Sequence, residues 1–396
     1  MAANTLTFNQ IATIMATAAS MATGKNMAIP TTTADFVTLG TTLNQIGTEG
    51  ITKAITTLLG ETIFSVRPYE AQFSILTREK SKYIAHARKI NYGDNGFEDD
   101  IAFDTDALVD GVSVDPWTIR KNKCVQTNFY GQNVVSDHIT IFEDQYDFSF
   151  SDAAQWGQFI TGVTQNIDDK FTQAFENTSR LCMVNFIGSV ITKIGGNASP
   201  RIFKMFTEYA AETGITLTTA TYRDPQYFGD FAKWAISKIK VVSDYLKNRN
   251  VIFHDNFTNI DIPRHTPYAR QKGIFYSPIL KHMDTNVLSA AFNDKYLKFE
   301  HEEIPFWQSL AEPDTINVTP NYIDNDGVIQ TANNAVNITN LFGVIFDDEA
   351  MGHTIFDTKV RSTSLNPKGL YYNTFFHYRS SWWNDTTEDA VIFVLD

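Results

Sequence analysis

One long helix is the strongest structural signal in this sequence. Mostly apolar side chains recur three or four residues apart for more than thirty residues, which places them on one face of an α-helix. They are Trp156, Phe159, Ile160, Val163, Ile167, Phe171, Ala174, Phe175, Thr178, Leu181, Cys182 and Phe186. Asp152 and Gln155 form a capping-box pattern ahead of this stripe, and Gly195-Gly196 sets its latest end. A helix of about 30 residues is a rod of roughly 45 Å, so we expect a spine along which other elements pack.

Helices and strands alternate in residues 224–350, which is typical of an α/β unit. Asp224-Pro225 predicts a helix start, because a capping residue precedes proline at the first helical position. Asn250 is expected to turn the chain into a buried strand. The predicted elements are a helix from Asp224-Pro225 to Leu246, a strand at 251–253, a helix at 286–292 and a strand at 341–346.

Strands are predicted on both sides of the long helix. In residues 66–148, Asn95-Gly96 is a pair typical of a tight hairpin turn. The acidic run from Glu98 to Asp106 is interpreted as the solvated tip of a long, exposed hairpin, rather than as a site for a divalent ion. The predicted strands are 73–76, 83–85, 125–130, 134–142, 354–356, 370–378 and 390–395.

The first 65 residues differ in composition from the rest. They are rich in Thr, Ala, Asn and Gly, with too little bulky apolar surface to fold alone and too little charge for a solvated linker. We predict an arm that becomes ordered by lying across a neighbour, and an unstructured terminus is the alternative for residues 1–30. Helical spacing within the arm predicts a helix at Phe36, Val37, Leu39, Leu43 and Ile46.

Composition and charge exclude several classes of protein. The 396 residues include 30 Phe, 16 Tyr and 6 Trp, which implies large buried surfaces within or between subunits. No run of eighteen apolar residues occurs, so no membrane span is expected. The formal net charge is −13 and no basic stripe is visible, which argues against wrapping nucleic acid. Cys124 and Cys182 cannot form a disulfide framework and are interpreted as packing residues.

No catalytic, cofactor-binding or metal-binding residue is predicted. The sequence lacks a phosphate-binding loop, a nucleophile elbow and a zinc-protease motif. His254-Asp255 and His301-Glu302-Glu303 could be drawn as acid–base or metal sites, but single hydrogen-bonded histidines are the simpler interpretation. Residues 322–327 faintly resemble a calcium loop, yet Tyr322 and Asn333 stand where carboxylates are needed, so we predict a polar turn.

The order of these parts resembles that of major capsid proteins of tailed bacteriophages. The C-terminal segments strengthen the resemblance and look like those of short-tailed phages, the podoviruses. The similar segments are 366–373, 375–378, 390–394, 287–293 and the stretch around Trp156. The resemblance covers residues 35–396 discontinuously, and residues 195–223 and 305–340 fit it poorly, as insertions of unknown placement.

This resemblance implies an α+β, HK97-like capsid fold with an arm and hairpin that reach over neighbouring subunits. Some relatives cross-link a hairpin lysine to a neighbour's asparagine, but nothing supports that chemistry for Lys80, Lys82 or Lys89 here. The implied units are 1–65, N-terminal arm; 66–150, the long β-hairpin (E-loop) and adjoining strands; 151–223, P-domain with spine helix; 224–350, A-domain; and 351–396, strands returning to the P-domain.

The implied function is self-assembly into hexamers and pentamers of an icosahedral head that encloses double-stranded phage DNA without sequence-specific binding. Scaffolding, portal and decoration proteins are further implied partners. The protein would be made in the bacterial cytoplasm and reside in the virion, with no enzymatic activity, cofactor or membrane partner. The alternatives are a tail or connector protein, an enzyme of unfamiliar α+β fold, and a β-rich carbohydrate-binding module, against which the long helix argues.

Overall fold

The computed structural model describes residues 8–23, 26–46, 73–77, 87–97, 108–117, 119–129, 132–142, 153–195, 199–258, 260–287 and 297–396. The helices within these ranges are α1 Phe8–Thr23, α2 Thr33–Ile46, α3 Ala153–Ile194, α4 Met205–Thr213, α5 Pro225–Leu246 and α6 Ser277–Val287. The strands are β1 Ala87–Tyr92, β2 Cys124–Phe129, β3 Gln132–Phe142, β4 Ile202–Lys204, β5 Gln271–Tyr276, β6 Glu300–Ile304, β7 Ile316–Val318, β8 Asn321–Ile323, β9 Ile329–Thr331, β10 Val336–Ile338, β11 Leu341–Asp347, β12 Met351–Ser362, β13 Tyr371–Asn384 and β14 Ala390–Val394.

The long helix α3 is confirmed and is longer than predicted. It has 42 residues, which corresponds to about 63 Å. It stops where Gly195 adopts φ +63° and donates its N–H to the carbonyls of Ile191 and Thr192 at 3.1 Å. The predicted capping residue Asp152 lies outside the described residues. None of the described helices is long and apolar enough to cross a bilayer.

One face of α3 packs on an antiparallel sheet of order β12-β13-β3. Phe171 is buried against Tyr378 of β13, with ring centroids 3.8 Å apart, and Phe175 lies 5.5 Å from the same ring. The prediction that Leu181 lies on the buried stripe is wrong, because its side chain is 62% exposed. The sheet contacts a narrower face of the helix than the full stripe. The predicted strands at 134–142, 354–356 and 370–378 are confirmed.

The second large sheet has five strands in the order β4-β14-β11-β5-β6. β11 lies at the centre of this sheet, and every one of its residues is buried. This strand confirms the one predicted at 341–346. β14 confirms the strand predicted at 390–395. The helix predicted from Asp224-Pro225 is confirmed as α5, whose Phe231 and Ile239 are fully buried in the same core as β11.

Two predictions within residues 224–350 differ from the structure. The strand at 251–253 is wrong, since Ile252 is 53% exposed and the chain bends there. The cause is Asn250, whose Oδ1 accepts the backbone N–H groups of both Ile252 and Phe253 at 3.2 Å and curls the chain. The strand beside β11 is β5 instead. Of the helix predicted at 286–292, residues 288–296 lie outside the described residues, and α6 ends at Val287.

The two segments predicted as unplaced insertions belong to the fold. In the first, β4 pairs with β14, and Tyr209 of α4 packs edge-on against Phe231 at 5.5 Å. In the second, the pairs β7–β10 and β8–β9 lie beside α3. A Cβ on Gly188 of α3 would lie 2.7 Å from Val318 Cγ1, so glycine permits this close approach.

The N-terminal segment is helical in the described part. α2 confirms the helix predicted around Phe36, and α1 contacts both α2 and α3 of the same chain. An unstructured terminus is therefore wrong for residues 8–23. Thr13 and Thr17 of α1 donate their hydroxyls to the carbonyls four residues earlier, at 2.7 and 2.8 Å, so these hydroxyls are satisfied within the helix.

The first prediction concerns the α3 core. Phe171→Asp should abolish soluble folding, because it places an unpaired charge where the native side chain is 3% exposed. Leu181→Asp, on the exposed face of the same helix, is the control. Its free energy of unfolding should lie within about 1 kcal/mol of the wild-type value. Solubility and urea denaturation measure both, and a Phe171→Asp protein that folds like Leu181→Asp would contradict this core.

The second prediction concerns His353 of β12, which is buried and whose Nδ1 lies 3.1 Å from Ser179 Oγ. Burial lowers its pKa from 6.5 to about 4. The unfolded chain therefore binds more protons than the folded chain between those pH values. The contribution of neutral His353 to the free energy of unfolding is complete above pH 6.5 and is lost as the pH falls toward 4. His353→Gln should remove up to about 3 kcal/mol of this pH dependence.

Urea denaturation at several pH values between 7 and 4 measures this difference. His377→Gln, on the exposed face of β13, is the matched control and should keep the wild-type pH profile. Identical profiles for His353→Gln and wild type would contradict a buried, neutral His353.

Candidate functional site

The ribbon of β1 and β2 carries a long excursion at one end. The strands pair antiparallel from Ala87–Phe129 to Tyr92–Cys124, which confirms the return strand at 125–130. Residues 93–123 then lie between Tyr92 and Cys124, and we call them the excursion. The tight hairpin predicted at Asn95-Gly96 is therefore wrong. Asp94 Oδ1 accepts the Gly96 N–H at 2.9 Å, so this pair makes a local turn without joining two strands.

Several other predictions for residues 66–106 have different outcomes. The segment 73–76 is a turn rather than a strand, because Thr77 donates its N–H to Ser74 at 2.8 Å. The strand at 83–85, the acidic run and the two lysines Lys80 and Lys82 lie outside the described residues.

The excursion and its first flanking residue expose an unusual amount of apolar surface. Eight large side chains are between 46% and 106% exposed: Tyr92, Phe97, Leu108, Val109, Val112, Val114, Trp117 and Ile119. Burying one such side chain contributes about 1.5–3 kcal/mol. Apolar side chains exposed on one segment are typical of a surface that contacts another protein when they form a patch.

Local hydrogen bonds fix the shape of the excursion. Arg120 donates to the carbonyl of Gly96 at 2.7 Å and also to that of Asn95. Asp115 Oδ1 accepts the backbone N–H of Trp117 at 2.9 Å. The described part of the excursion thus holds its turns by itself, without covering its apolar side chains.

A buried polar run anchors the base of the ribbon. Residues 385–389, between β13 and β14, are at most 4% exposed although all five are polar or charged. Lys89 of β1 donates to Asp385 Oδ2 at 2.6 Å and also to Glu388. Arg264 donates to Asn91 Oδ1 at 2.6 Å and lies 3.1 Å from Glu388. Burial raises the pKa of Glu388 more than Lys89 and Arg264 lower it.

The histidines and acids that are adjacent in the sequence have different partners in the structure. His254 Nδ1 lies 2.8 Å from Asp389 Oδ1, whereas Asp255 forms its ion pair with Arg201. His301 contacts the rings of Phe275 and Phe299. Among the described residues, no group of three or more His, Cys, Asp or Glu side chains is placed to hold a metal.

The remaining sequence candidates have structural roles. Cys182 is buried, donates to Asn384 Oδ1 at 2.8 Å, and has a pKa raised by burial to about 12. Cys124 is exposed, so its interpretation as a packing residue is wrong: it ends the β1–β2 ladder at the ribbon's open end. The polar turn at 322–327 is confirmed, since Asp324 Oδ1 accepts the N–H groups of Asp326 and Val328.

The structure reveals a basic and aromatic surface that the sequence does not show. Strand register places Lys359 beside His377, and Arg361 beside Phe375 and His138, on the sheet face opposite α3. Phe375 stacks on His138 with centroids 5.3 Å apart. These residues come from three strands, of which β3 is distant in the chain from β12 and β13, so a linear reading of the sequence finds no stripe.

A prediction follows for the anchor of the ribbon. Lys89→Met should lower the free energy of unfolding by about 3 kcal/mol or more, because it leaves two buried carboxylates without this cation. Arg249→Met is the control, since its pair with Asp94 at 3.2 Å is solvent-exposed and should contribute less than about 1 kcal/mol. Urea denaturation measures both, and equal small losses would show that the ribbon is not anchored here.

Comparison with solved structures identifies proteins of similar fold. The fold is similar to the capsid structure of Staphylococcus phage Andhra, with a TM-score of 0.53 and 11% identity over 84% of this chain and 86% of that chain. It is also similar to a chain in the structure of head fiber and inner core protein gp22 of native bacteriophage P68, with a TM-score of 0.54 and 10% identity over 83% of this chain and 86% of that chain.

At such low identity, these likenesses establish the fold alone and confirm the predicted α+β, HK97-like architecture. No curated protein matches the sequence. The sequence model of the Phi29-like phage major capsid protein family matches residues 25–394. Because this match covers nearly the whole chain, the chain belongs to the Phi29-like family of phage major capsid proteins.

Proposed function

We propose that this chain assembles into the hexamers and pentamers of an icosahedral head that encloses double-stranded phage DNA. The family match over residues 25–394 carries the proposal, and it does not favour a tail or connector protein. The protein would be made in the host cytoplasm and end in the virion, with scaffolding, portal and decoration proteins as further partners. Negative-stain imaging of purified protein tests it: closed shells are expected, and open tubes or small rings would overturn it.

We also propose the division into an arm (1–65), an E-loop (66–150), a P-domain (151–223), an A-domain (224–350) and C-terminal strands (351–396). In support, α3 and the sheet β12-β13-β3 form one body, as a P-domain should. The five-stranded sheet supplies an A-domain core. It also takes β4 and β14 from the flanking segments, so the two domains share strands across these boundaries.

The excursion is the part of this chain best suited to bind a neighbouring copy. Its exposed apolar groups would be covered only in an assembly, while its own hydrogen bonds keep its shape beforehand. Individually modest contacts suit a closed shell, because a millimolar contact contributes only about −4 kcal/mol and a misplaced subunit can leave again. Several such contacts per subunit then act together through effective concentration.

Assembly should strengthen as salt is added. Subunits of net charge −13 repel one another, and the Debye length falls from about 10 Å at 0.1 M salt to about 3 Å at 1 M. Static light scattering across this range measures the subunit concentration at which half of the protein is assembled. This half-assembly concentration should fall as the salt concentration rises. Sucrose at matched osmolarity is the control for effects other than screening. Assembly that weakens steadily with salt would mean that attraction between opposite charges, not repulsion, governs the contacts.

A further inference from the structure

A cavity at the base of the β1–β2 ribbon has the properties of a binding site. It has a volume of about 260 Å³ and lies between β2, α3, the β8–β9 pair and the end of β13. The rings of Phe129, Tyr322, Trp382 and Trp383 form much of its wall, and none of the described residues that line it is charged. A cavity of about 150 Å³ is enough for benzene, so a larger ring fits here.

One polar group in this wall lacks a partner. Thr386 lines the cavity and is 4% exposed, and its Oγ1 is buried without a hydrogen bond within the chain. Buried hydroxyls are normally satisfied, and a hydroxyl both donates and accepts, so a ligand with one polar group would supply the missing hydrogen bond.

Two amide side chains of the wall are already occupied within the chain and offer a sugar no free partner. Asn185 Oδ1 accepts the backbone N–H of Asn321 at 3.1 Å. Both ends of the Asn384 amide bond to Cys182, at 2.8 and 3.1 Å. A pyranose needs several free partners for its hydroxyls. The aromatic wall suits a ring that carries one N–H donor, and a sugar is the alternative occupant that the binding experiment below tests.

Trp117 of the excursion has this chemistry. Its side chain is 84% exposed. The backbone N–H of Trp117, not the indole N–H, donates to Asp115, and this bond fixes the backbone that presents the ring. Phe97 is more exposed but has no donor. Tryptophan has only two rotatable side-chain bonds and a large apolar surface, as is common in the anchor residues of protein interfaces.

We propose that Trp117 of one copy inserts its indole into this cavity of a second copy and donates Nε1–H to Thr386 Oγ1. The inference rests on the proposed function, because it names the contact by which the excursion joins neighbouring subunits. The contact is heterologous, with ring and cavity on different surfaces, so each copy can give one ring and receive another.

Assembly of full-length variants, followed by light scattering, tests this contact. Trp117→Ala should raise the half-assembly concentration at least about tenfold, whereas Leu310→Ala, which is 74% exposed and lies outside the excursion, should change it less than about twofold. Trp117→Phe and Thr386→Val should each weaken assembly, and their combination should be no worse than the stronger single variant, since both remove one hydrogen bond. Fully additive effects, or Trp117→Ala behaving like Leu310→Ala, would overturn the proposal.

Binding of 3-methylindole to unassembled wild-type subunits gives an independent readout by saturation-transfer NMR. It should bind, bind more weakly to Thr386→Val, and inhibit assembly, whereas N-acetylglucosamine should not bind. Binding of the sugar alone would overturn the choice of occupant. If wild type forms no shells, the proposed function fails, and 3-methylindole binding still decides whether the cavity takes an indole. If wild-type shells form and Trp117→Ala joins them normally, this inference alone fails.

Discussion

The buried polar run 385–389 is the interaction on which the architecture depends. It connects the sheet that packs on α3 to the five-stranded sheet, and it holds the root of the ribbon through Lys89. Asp389 contacts His254, and the carbonyl of Thr386 accepts the N–H of Asp255 at 2.9 Å. Charges removed from water are destabilising unless their partners are close and well oriented. The geometry of this one loop therefore fixes how the two sheets and the ribbon are arranged.

The helix α3 serves two cores in succession. Ile167 and Phe171, toward its N-terminal half, pack with the three-stranded sheet. Phe186 and Val190, near its C-terminal end, are buried in the large core of the five-stranded sheet. A single rigid element thus passes through both bodies, and a rod of this length transmits orientation from one to the other. The ribbon and the cavity lie where these two bodies meet, so their positions are set by the same helix.

The sequence allowed prediction of the elements that have a strong period or a clear terminus. α3 and α5 were predictable because their apolar spacing is long and Pro225 and Gly195 mark their ends. The segment 251–253 misled because its apolar residues follow Asn250, whose side chain bonds the backbone locally. The Asn95-Gly96 pair misled for the same kind of reason.

The candidate contact surfaces could not be predicted from linear patterns. The basic face depends on the register of three strands, and the cavity draws its wall from four separate parts of the chain. Exposure of Trp117 is likewise a property of the folded chain, because apolar sequence alone suggests burial. Long-range pairing decides each of these features, and it leaves no periodic signal in the sequence.

The strand order of the large sheet also bears on the timing of synthesis. β14 lies between β4 and β11, although almost two hundred residues separate it from β4. Until residue 394 has left the ribosome, β4 lacks its neighbour and one edge of β11 stays open. A nascent chain therefore cannot complete this sheet before β14 emerges, and until then the open edges of β4 and β11 can pair with other strands.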